Sequence, residues 1–475
     1  MSRRARSLLC LAGLALAATS PALGDGPDVI VGDLPNVQYW GVVAGPLPGT
    51  SDDIVAYSIG TTSCNIGTQQ LSWIETTNRH PVIAQNLYRL KNGRFEQIGM
   101  SWLKHGFCAL QETVCSSTPG YPPCSPAGFA CENRLGVGCS DPYSSALNGT
   151  QSRLGPRSHV NAFTGEFPYP FQNPGPGFVT PPPASGVIAR RLQVAVDDVT
   201  PSLNQGATYF VEGQYVALDD ASAGNGNNNT SYRRVQFNSV SQAVMVGPTQ
   251  RQKPAIQGWK EFDSGVTLAI LDVPGEGRFY LAGKAIDNGD GTWTYNYALY
   301  NMNSHASAGS ITFELGCGAT VLEQGFSAPK YHSGEVYSNA PWVATEAAAG
   351  SVTFATESES QNPNANAVRW GTTYTFWLKT DSPPATGNVT VGLWRNPGGT
   401  LSAGGFPVPG AVCRADWSGD GGVNSADISA YLTDWLESVQ VGNDAADYNC
   451  DATVNSSDIS AFLTSWLNAV NGTGC

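Results

Sequence analysis

The chain has 475 residues, and its 25 Lys and Arg are outnumbered by 38 Asp and Glu, which gives a formal net charge of −13. This acidic balance argues against binding to nucleic acid or to anionic lipid. Only 13% of the residues are charged, whereas 54 are Gly and 31 are Pro. Such a composition is typical of turn-rich extracellular proteins, and we expect a mainly β fold.

Residues 1–24 have the pattern of a secretory signal peptide. Arg3, Arg4 and Arg6 precede an apolar run from Leu8 to Ala18, and small residues follow it. That run is too short to cross a bilayer comfortably, and no later stretch is longer. We therefore predict a secreted protein without a transmembrane span, which leaves association with a cell surface open.

Residues 25–397 form a β-rich segment in this interpretation. Strand-forming runs alternate with turn signals, for example at 187–196, 207–215, 278–286, 292–300, 372–379 and 387–394. No long helical period interrupts them, so we expect a β-sandwich-like fold of one or two domains. Residues 398–412, where FPVPG stands among small residues, are predicted to be a linker.

One hairpin can be predicted in detail, because Asn92-Gly93 is a strong two-residue turn signal. Folding about it would pair Arg89 with Glu96, Leu87 with Ile98, and Ile83 with Trp102. The same register would place His80 opposite His105, where two imidazoles would be close enough to share a metal or a proton. The alternative is a pair of polar residues at a frayed hairpin end, and a bulge would destroy the alignment.

Ten cysteines remain once Cys10 is removed with the signal, and an even number fits a disulfide framework in an oxidising compartment. Five of them lie between residues 108 and 139, with Pro and Gly among them and no CxxC pair. This pattern predicts a disulfide-stapled loop rather than a zinc site. The pairing of Cys64, Cys317 and Cys450 stays open at this point.

The C-terminal segment, residues 413–475, contains one unit twice. The first copy runs from Ala415 to Val439 and the second from Ala446 to Val470, with a constant offset of 31 residues. Each copy has oxygen-bearing residues at positions 1, 3, 5, 7, 9 and 12 of a twelve-residue loop, as calcium requires. In loop 1 (residues 416–427) the predicted ligands are Asp416, Ser418, Asp420, the Gly422 carbonyl, Asn424 and Asp427. In loop 2 (residues 447–458) they are Asp447, Asn449, Asp451, the Thr453 carbonyl, Asn455 and Asp458.

Position 6 distinguishes the two loops. It holds Gly421 in loop 1, where the chain must turn sharply, but Ala452 in loop 2. Because Ala resists a positive φ, we expect loop 2 to be strained or to bind its ion more weakly.

An amphipathic helix is predicted after each loop. The apolar residues recur at i, i+3, i+4, i+7 and i+8, and they are Ile428, Tyr431, Leu432, Trp435, Leu436 and Ile459, Phe462, Leu463, Trp466, Leu467. We expect the two stripes to be buried against each other and the polar faces to be available for recognition. The segment has nine acids and one base, Arg414, so a bound cation should stabilise it. Cys413 and Cys475 bracket it and are predicted to form a disulfide.

Two full ligand sets in register, each ending in Asp and without a preceding helix, resemble the type I dockerin, an EF-hand-like calcium domain. The resemblance covers residues 413–475 and implies two bound Ca²⁺ ions and docking to a β-sandwich partner, a cohesin, in either of two orientations. In that family the residues at positions 10 and 11 carry specificity. Here they are Ser425-Ala426 and Ser456-Ser457.

The resemblance concerns attachment and leaves the activity of residues 25–397 open. One hypothesis is a secreted protein that binds extracellular glycan or protein and is displayed through the repeat. The alternative is a polysaccharide-degrading enzyme, a glycoside hydrolase or lyase, that the same repeat carries. The sequence has no GxSxG, HExxH or P-loop motif, and catalytic acid pairs cannot be identified from sequence because their spacing is spatial.

Overall fold

The computed structural model describes residues 25–45, 53–129, 131–150, 154–169, 186–347, 350–396, 398–411 and 414–472. The predicted signal peptide and both cysteines of the predicted Cys413–Cys475 pair lie outside these residues and stay predictions. The described chain is mainly β, with a helical region at its C-terminal end, and this confirms the predicted fold class at that coarse level. None of the described helices has the length and apolar character of a membrane span.

The first half of the β-structure spans residues 25–262 and contains two principal sheets. Its described strands are β1 (Val29–Asp33), β2 (Val37–Val43), β3 (Ile54–Ile59), β4 (Thr61–Asn65), β5 (Leu71–Ser72), β6 (Val82–Lys91), β7 (Arg94–Met100), β8 (Leu103–His105), β9 (Arg134–Leu135), β10 (Ser140–Tyr143), β11 (Leu154–Gly155), β12 (Leu192–Ala195), β13 (Thr208–Val216), β14 (Thr230–Ser239) and β15 (Gln242–Gln250). The larger sheet has the order β15-β14-β13-β6-β7-β12-β3-β2, with β8 paired to β6 and β11 to β8. Strands β1, β4 and β10 form the smaller sheet, and β5 pairs with β9. The two principal sheets share one apolar core, in which Val31 of β1 packs with residues such as Val55 and Val211.

The second half consists of two five-stranded sheets. Its described strands are β16 (Thr267–Val273), β17 (Gly277–Asp287), β18 (Trp293–Asn301), β19 (Ala308–Glu314), β20 (Val321–Ser327), β21 (Val343–Ala347), β22 (Ser351–Ala355), β23 (Thr372–Thr380), β24 (Pro384–Leu393) and β25 (Thr400–Pro409). The sheet orders are β16-β17-β18-β23-β20 and β21-β22-β19-β24-β25. Residues of both sheets form one core, where the rings of Tyr297 and Phe313 stack with centroids 4.1 Å apart.

Short helices fill in around the strands, and one of them helps to join the two halves. The helices are α1 (Ser145–Gly149), α2 (Val196–Val199), α3 (Leu218–Ser222) and α4 (Ala255–Phe262). Trp259 of α4 is buried in a cluster with Phe210 of β13 and Tyr300 of β18. The two halves therefore share buried side chains, and we refer to residues 25–411 together as the β-module.

The Asn92-Gly93 hairpin forms, but only its first pairs have the predicted register. Arg89 lies opposite Glu96, and their side chains form an ion pair at 3.0 Å. Beyond Tyr88 a bulge leaves Ile98 without an opposite residue, so Leu87 pairs with Gly99. Ile83 then pairs with Lys104 instead of Trp102, and His105 pairs with Val82 instead of His80. Those three predicted pairs are wrong because the bulge at Ile98 shifts the register by one residue, and the break between β7 and β8 shifts it by one more.

The predicted linker at residues 398–412 is wrong over most of its length. Thr400–Pro409 is strand β25, which pairs antiparallel with β24. Phe406 is buried in the shared core of the two five-stranded sheets. Because β25 is the edge strand of its sheet, it can accommodate Pro407 and Pro409, which have no N–H to donate.

Four disulfides link cysteines of the described chain. Two close the predicted stapled loop, Cys108–Cys131 and Cys124–Cys139. Cys115 of the same loop bonds to Cys64 on β4. The fourth disulfide joins Cys317 of the β-module to Cys450 of loop 2. Disulfides of this number fit an oxidising, extracellular compartment.

Both predicted C-terminal helices form, but each begins directly after position 9, inside the twelve-residue loop and not after its end. Helix α5 covers Ser425–Val441 and helix α6 covers Ser456–Val470. Asn424 and Asn455 cap them with their side chains, and the aspartates at position 12 complete a capping box by accepting from the cap backbone. The last residue of each loop thus also fixes the first turn of a helix.

Candidate metal centre in the C-terminal repeat

The aspartate at position 1 organises the turn of each loop through backbone hydrogen bonds. In loop 1, Asp416 accepts from the N–H groups of Gly419 (2.9 Å) and Gly421 (2.8 Å). In loop 2, Asp447 accepts from those of Asp451 (3.1 Å) and Ala452 (2.8 Å). The bond from position 6 has the same length in both loops, so the two turns are built alike despite their different residues.

The aspartate at position 12 closes each loop in the same way. Asp427 accepts from the N–H groups of Ser418 (2.9 Å) and Asn424 (2.8 Å). Asp458 accepts from those of Asn449 (3.1 Å) and Asn455 (2.8 Å). Both side chains are buried. The backbone N–H groups of Asn424 and Ser418 lower the pKa of Asp427 to about 2 because they stabilise the charged carboxylate.

The predicted ligands lie close together, although acidic side chains alone do not complete a site. Ser418 Oγ is 3.4 Å from Asp416 Oδ1, and Asn424 Nδ2 is 3.0 Å from the Gly422 carbonyl. Among the residues that the structure describes, no group of three or more His, Cys, Asp or Glu side chains is gathered as a metal site. Each predicted set also needs Ser or Asn oxygens and a carbonyl. An all-oxygen set of this kind fits calcium, a hard cation, and calcium binding stays a prediction.

The backbone conformation at positions 4 and 6 is left-handed in both loops. Gly419 and Gly421 have φ values of 71° and 87° in loop 1, and Cys450 and Ala452 have φ values of 56° and 63° in loop 2. Ala452 thus adopts the positive φ that the sequence analysis expects to be unfavourable. Its effect on calcium affinity is a prediction.

The two copies pack in a nearly symmetric way. Tyr431 of α5 stacks on Phe462 of α6, with ring centroids 4.2 Å apart, and both are fully buried. Trp435 Nε1 donates to the carbonyl of Asn455 in loop 2 (2.9 Å). Trp466 Nε1 donates to the carbonyl of Asn424 in loop 1 (2.8 Å). Each helix therefore fixes position 9 of the other copy's loop, which couples the two loops structurally.

Each predicted apolar stripe has one fully buried residue, Tyr431 or Phe462, two partly buried residues and two exposed leucines, so the expectation of complete burial is wrong. Leu432 and Leu436 of α5 are 37% and 53% exposed, and the equivalent Leu463 and Leu467 of α6 are 39% and 53% exposed. Val439 and Val470, also equivalent, are 49% exposed each. The small core around Tyr431 and Phe462 does not include these leucines and valines. These six residues, three on each helix, are here called the leucine face. Its four leucines belong to the stripes that the sequence analysis expects to be buried, and not to the polar faces that it expects to be available for recognition.

The β-module contacts the repeat at loop 2. Cys450, at position 4 of loop 2, is bonded to Cys317 in the segment between β19 and β20. Arg414, the one base of the repeat, donates through Nη2 to the carbonyls of Asp447 (3.1 Å) and Tyr448 (3.0 Å). The sequence analysis missed this junction. The signal for it was the cysteine at position 4 of loop 2, where loop 1 has Gly419.

The histidine pair does not form a metal or proton-sharing site, although the rings are close. The centroids of His80 and His105 are 4.6 Å apart. Each ring nitrogen faces a backbone carbonyl instead: Pro81 (2.8 Å) and Phe107 (2.6 Å) for His80, Gly106 (3.2 Å) and Thr77 (2.7 Å) for His105. Burial, and secondarily the neighbouring His105, lower the pKa of His80 to about 3, so its ring is neutral near pH 7.

Comparison with known proteins gives no family for the chain. No protein-family model matches it, and no curated protein matches it either. Twelve chains among the solved structures are similar. One is the serine-rich repeat adhesion glycoprotein Srr1 from Streptococcus agalactiae, with 8% identity, a TM-score of 0.19, and coverage of 80% of this chain and 98% of that chain. A similarity this weak carries no argument about function.

Proposed function

We propose that the C-terminal repeat is a dockerin-like module that binds two calcium ions and attaches the β-module to a cohesin-like protein. Duplication is the observation that supports this most. Two loops 31 residues apart have matching hydrogen bonds from position 6 to position 1. Two helices expose matching leucines. If the repeat served only to cover its own β-module, the same leucines would not need to be exposed on both helices.

Calcium is the ion that the residues favour. Each loop would hold it with the six positions named above, all of which supply oxygen. The repeat has nine acids against one base, a net charge of −8, so its carboxylates repel one another when no cation is bound. A bound ion reverses this repulsion and links calcium binding to folding of the repeat.

The leucine face is the surface that we assign to docking. It lies on α5 and α6, and exposed small residues at positions 10 and 11, Ser425-Ala426 and Ser456-Ser457, allow a partner to approach the helix starts. A cohesin-like β-sandwich with an apolar patch and a basic rim would complement leucines on an acidic domain. A second copy of this chain is a poorer occupant because two repeats of net charge −8 repel each other. The equivalent exposure of both helices favours docking in two orientations.

Binding of purified type I cohesin domains to the immobilised full chain tests the assignment. We expect binding in calcium, none in a chelator, and a loss of roughly 30-fold or more in the Leu436→Asp/Leu467→Asp variant. Leu322→Asp is the matched control, since Leu322 of β20 is also 53% exposed but lies on the β-module. If the calcium-loaded chain binds no cohesin, or if light scattering shows a calcium-dependent dimer through these leucines, cohesin docking is rejected.

The β-module is proposed to bind extracellular glycan or protein, and a polysaccharide-degrading activity is the alternative. One observation favours the alternative: a surface cleft of about 610 Å³ has two carboxylates, Asp25 and Asp219, and Arg79 among its lining residues. A glycan array and a reducing-sugar assay on the full chain separate the two. Binding without bond cleavage supports the first function. Sugar release that Asp219→Asn abolishes supports the enzyme.

A further inference from the structure

The two loops differ at the backbone positions that give them their shape. Positions 4 and 6 are left-handed in both, and loop 1 has glycine at each of them. Loop 2 has Cys450 and Ala452, with φ values of 56° and 63°. A Cβ atom makes this conformation less favourable than it is for glycine. Considered alone, loop 2 should therefore adopt the ion-binding backbone less readily than loop 1.

Loop 2 also differs in being held by groups outside the loop. The disulfide to Cys317 of the β-module fixes Cys450, one of the two unfavourable positions. Arg414 of the repeat donates to the carbonyls of Asp447 and Tyr448. In the part of the chain that the structure describes, loop 1 has no disulfide. Cys450, which has an unfavourable positive φ, is thus also the residue that the disulfide restrains.

We propose that Cys317 of the β-module is a positioning residue for the second calcium site. The Cys317–Cys450 disulfide keeps position 4 of loop 2 in the left-handed conformation and pre-organises the loop before the ion arrives. When a loop must become ordered as the ion binds, the free energy of ordering the loop weakens the observed affinity. A restraint that already orders the loop in the folded chain removes this free-energy cost from the binding step. The inference rests on the proposed calcium function.

Calorimetric calcium titration of the full chain tests the proposal, in an Asp416→Ala background that leaves only loop 2 to titrate. The first variant, Cys317→Ser/Cys450→Ser, removes the disulfide and keeps a side chain at position 4. We expect its second-site Kd to be roughly tenfold weaker. The second variant, Cys317→Ser/Cys450→Gly, also removes the disulfide but gives loop 2 the glycine of loop 1. We expect it to recover most of the lost affinity.

Rescue by glycine separates conformational positioning from simple attachment. If the Asp416→Ala parent and both disulfide variants bind calcium equally, the disulfide only joins the two regions and the inference is wrong. If the glycine variant is as weak as the serine variant, attachment and not backbone conformation controls the site, which also overturns it. Absence of calcium binding at both loops of the wild-type chain would instead reject the proposed function.

Discussion

The β-module and the C-terminal repeat are stabilised by different means. In the β-module, two large apolar cores bury rings such as Phe313 and Phe376, and three disulfides lie entirely within it. The repeat has one small core around Tyr431 and Phe462, exposes the leucine face, and has nine acids against one base. A core of that size rarely stabilises a domain without help. If the proposed calcium binding is correct, the repeat should depend on its ions and on the Cys317–Cys450 disulfide, whereas the β-module should depend on its own cores.

The largest expected effect comes from removing calcium. Hydrogen exchange of the full chain in a chelator should show that amides of α5 and α6 lose their protection, because the loop carboxylates then repel each other. Amides of β18 and β23 should keep theirs. Protected helices in the chelator, or a simultaneous loss of protection in both regions, would break the comparison.

The next largest effect should come from removing one buried ring from each region, because the two changes should have different consequences. Phe462→Ala and Phe354→Ala each delete a buried phenylalanine, and each should cost about 3–5 kcal/mol of unfolding free energy. In the repeat this loss should abolish helicity and calcium binding. In the β-module it should lower the thermal midpoint and leave the calcium stoichiometry unchanged. Calorimetry and circular dichroism measure both, and equal effects of the two changes on calcium binding would contradict the account.

Two buried aspartates should respond to pH in opposite directions. Burial raises the pKa of Asp141 in the β-module to about 7, whereas backbone N–H groups lower that of Asp427 to about 2. Because the folded pKa of Asp141 is raised, the stability that it contributes is present below about pH 3.8 and is lost as the pH rises towards 7. Asp427 contributes stability above about pH 3.8, and that stability is lost as the pH falls towards 2.

Chemical denaturation between pH 4 and 7.5 checks the first half of this contrast. Asp141→Asn keeps an oxygen for the N–H of Leu110, which Asp141 Oδ1 accepts at 2.9 Å. Relative to that variant, the wild-type β-module should become less stable by roughly 2–4 kcal/mol as the pH rises, at about 1.4 kcal/mol per unit of pKa shift. A difference that does not change with pH would show that Asp141 keeps an ordinary pKa.

The local sequence predicted the repeat well because its signals are short-range. The two predicted helices form, and each starts within three residues of the predicted loop end. Features that depend on residues far apart in the chain could not be predicted from local sequence. The bulge at Ile98 lies next to Gly99, which pairs with both β6 and β12. Strand β25 looks like a linker because an edge strand accepts prolines. Cys317 lies 133 residues before Cys450. The periodicity of α5 and α6 also showed which apolar residues share one side of each helix. It did not show how many of them the other helix would bury.

The smallest expected effect compares the two loops at position 6. Ala452→Gly should strengthen calcium binding at loop 2 by about 1 kcal/mol, because glycine accepts a positive φ without penalty. Gly421→Ala should weaken loop 1 by a similar amount. Titrations in which only one loop is intact would measure each change. A tighter loop 1 after Gly421→Ala would show that position 6 does not set the affinity.

The stoichiometry of calcium binding to the oxidised full chain tests the central claim most directly. Isothermal titration should give two ions per chain for the wild type, one for Asp416→Ala and none for Asp416→Ala/Asp447→Ala, because position 1 organises each loop. A wild-type stoichiometry of zero, or unchanged binding in the double variant, would contradict the account.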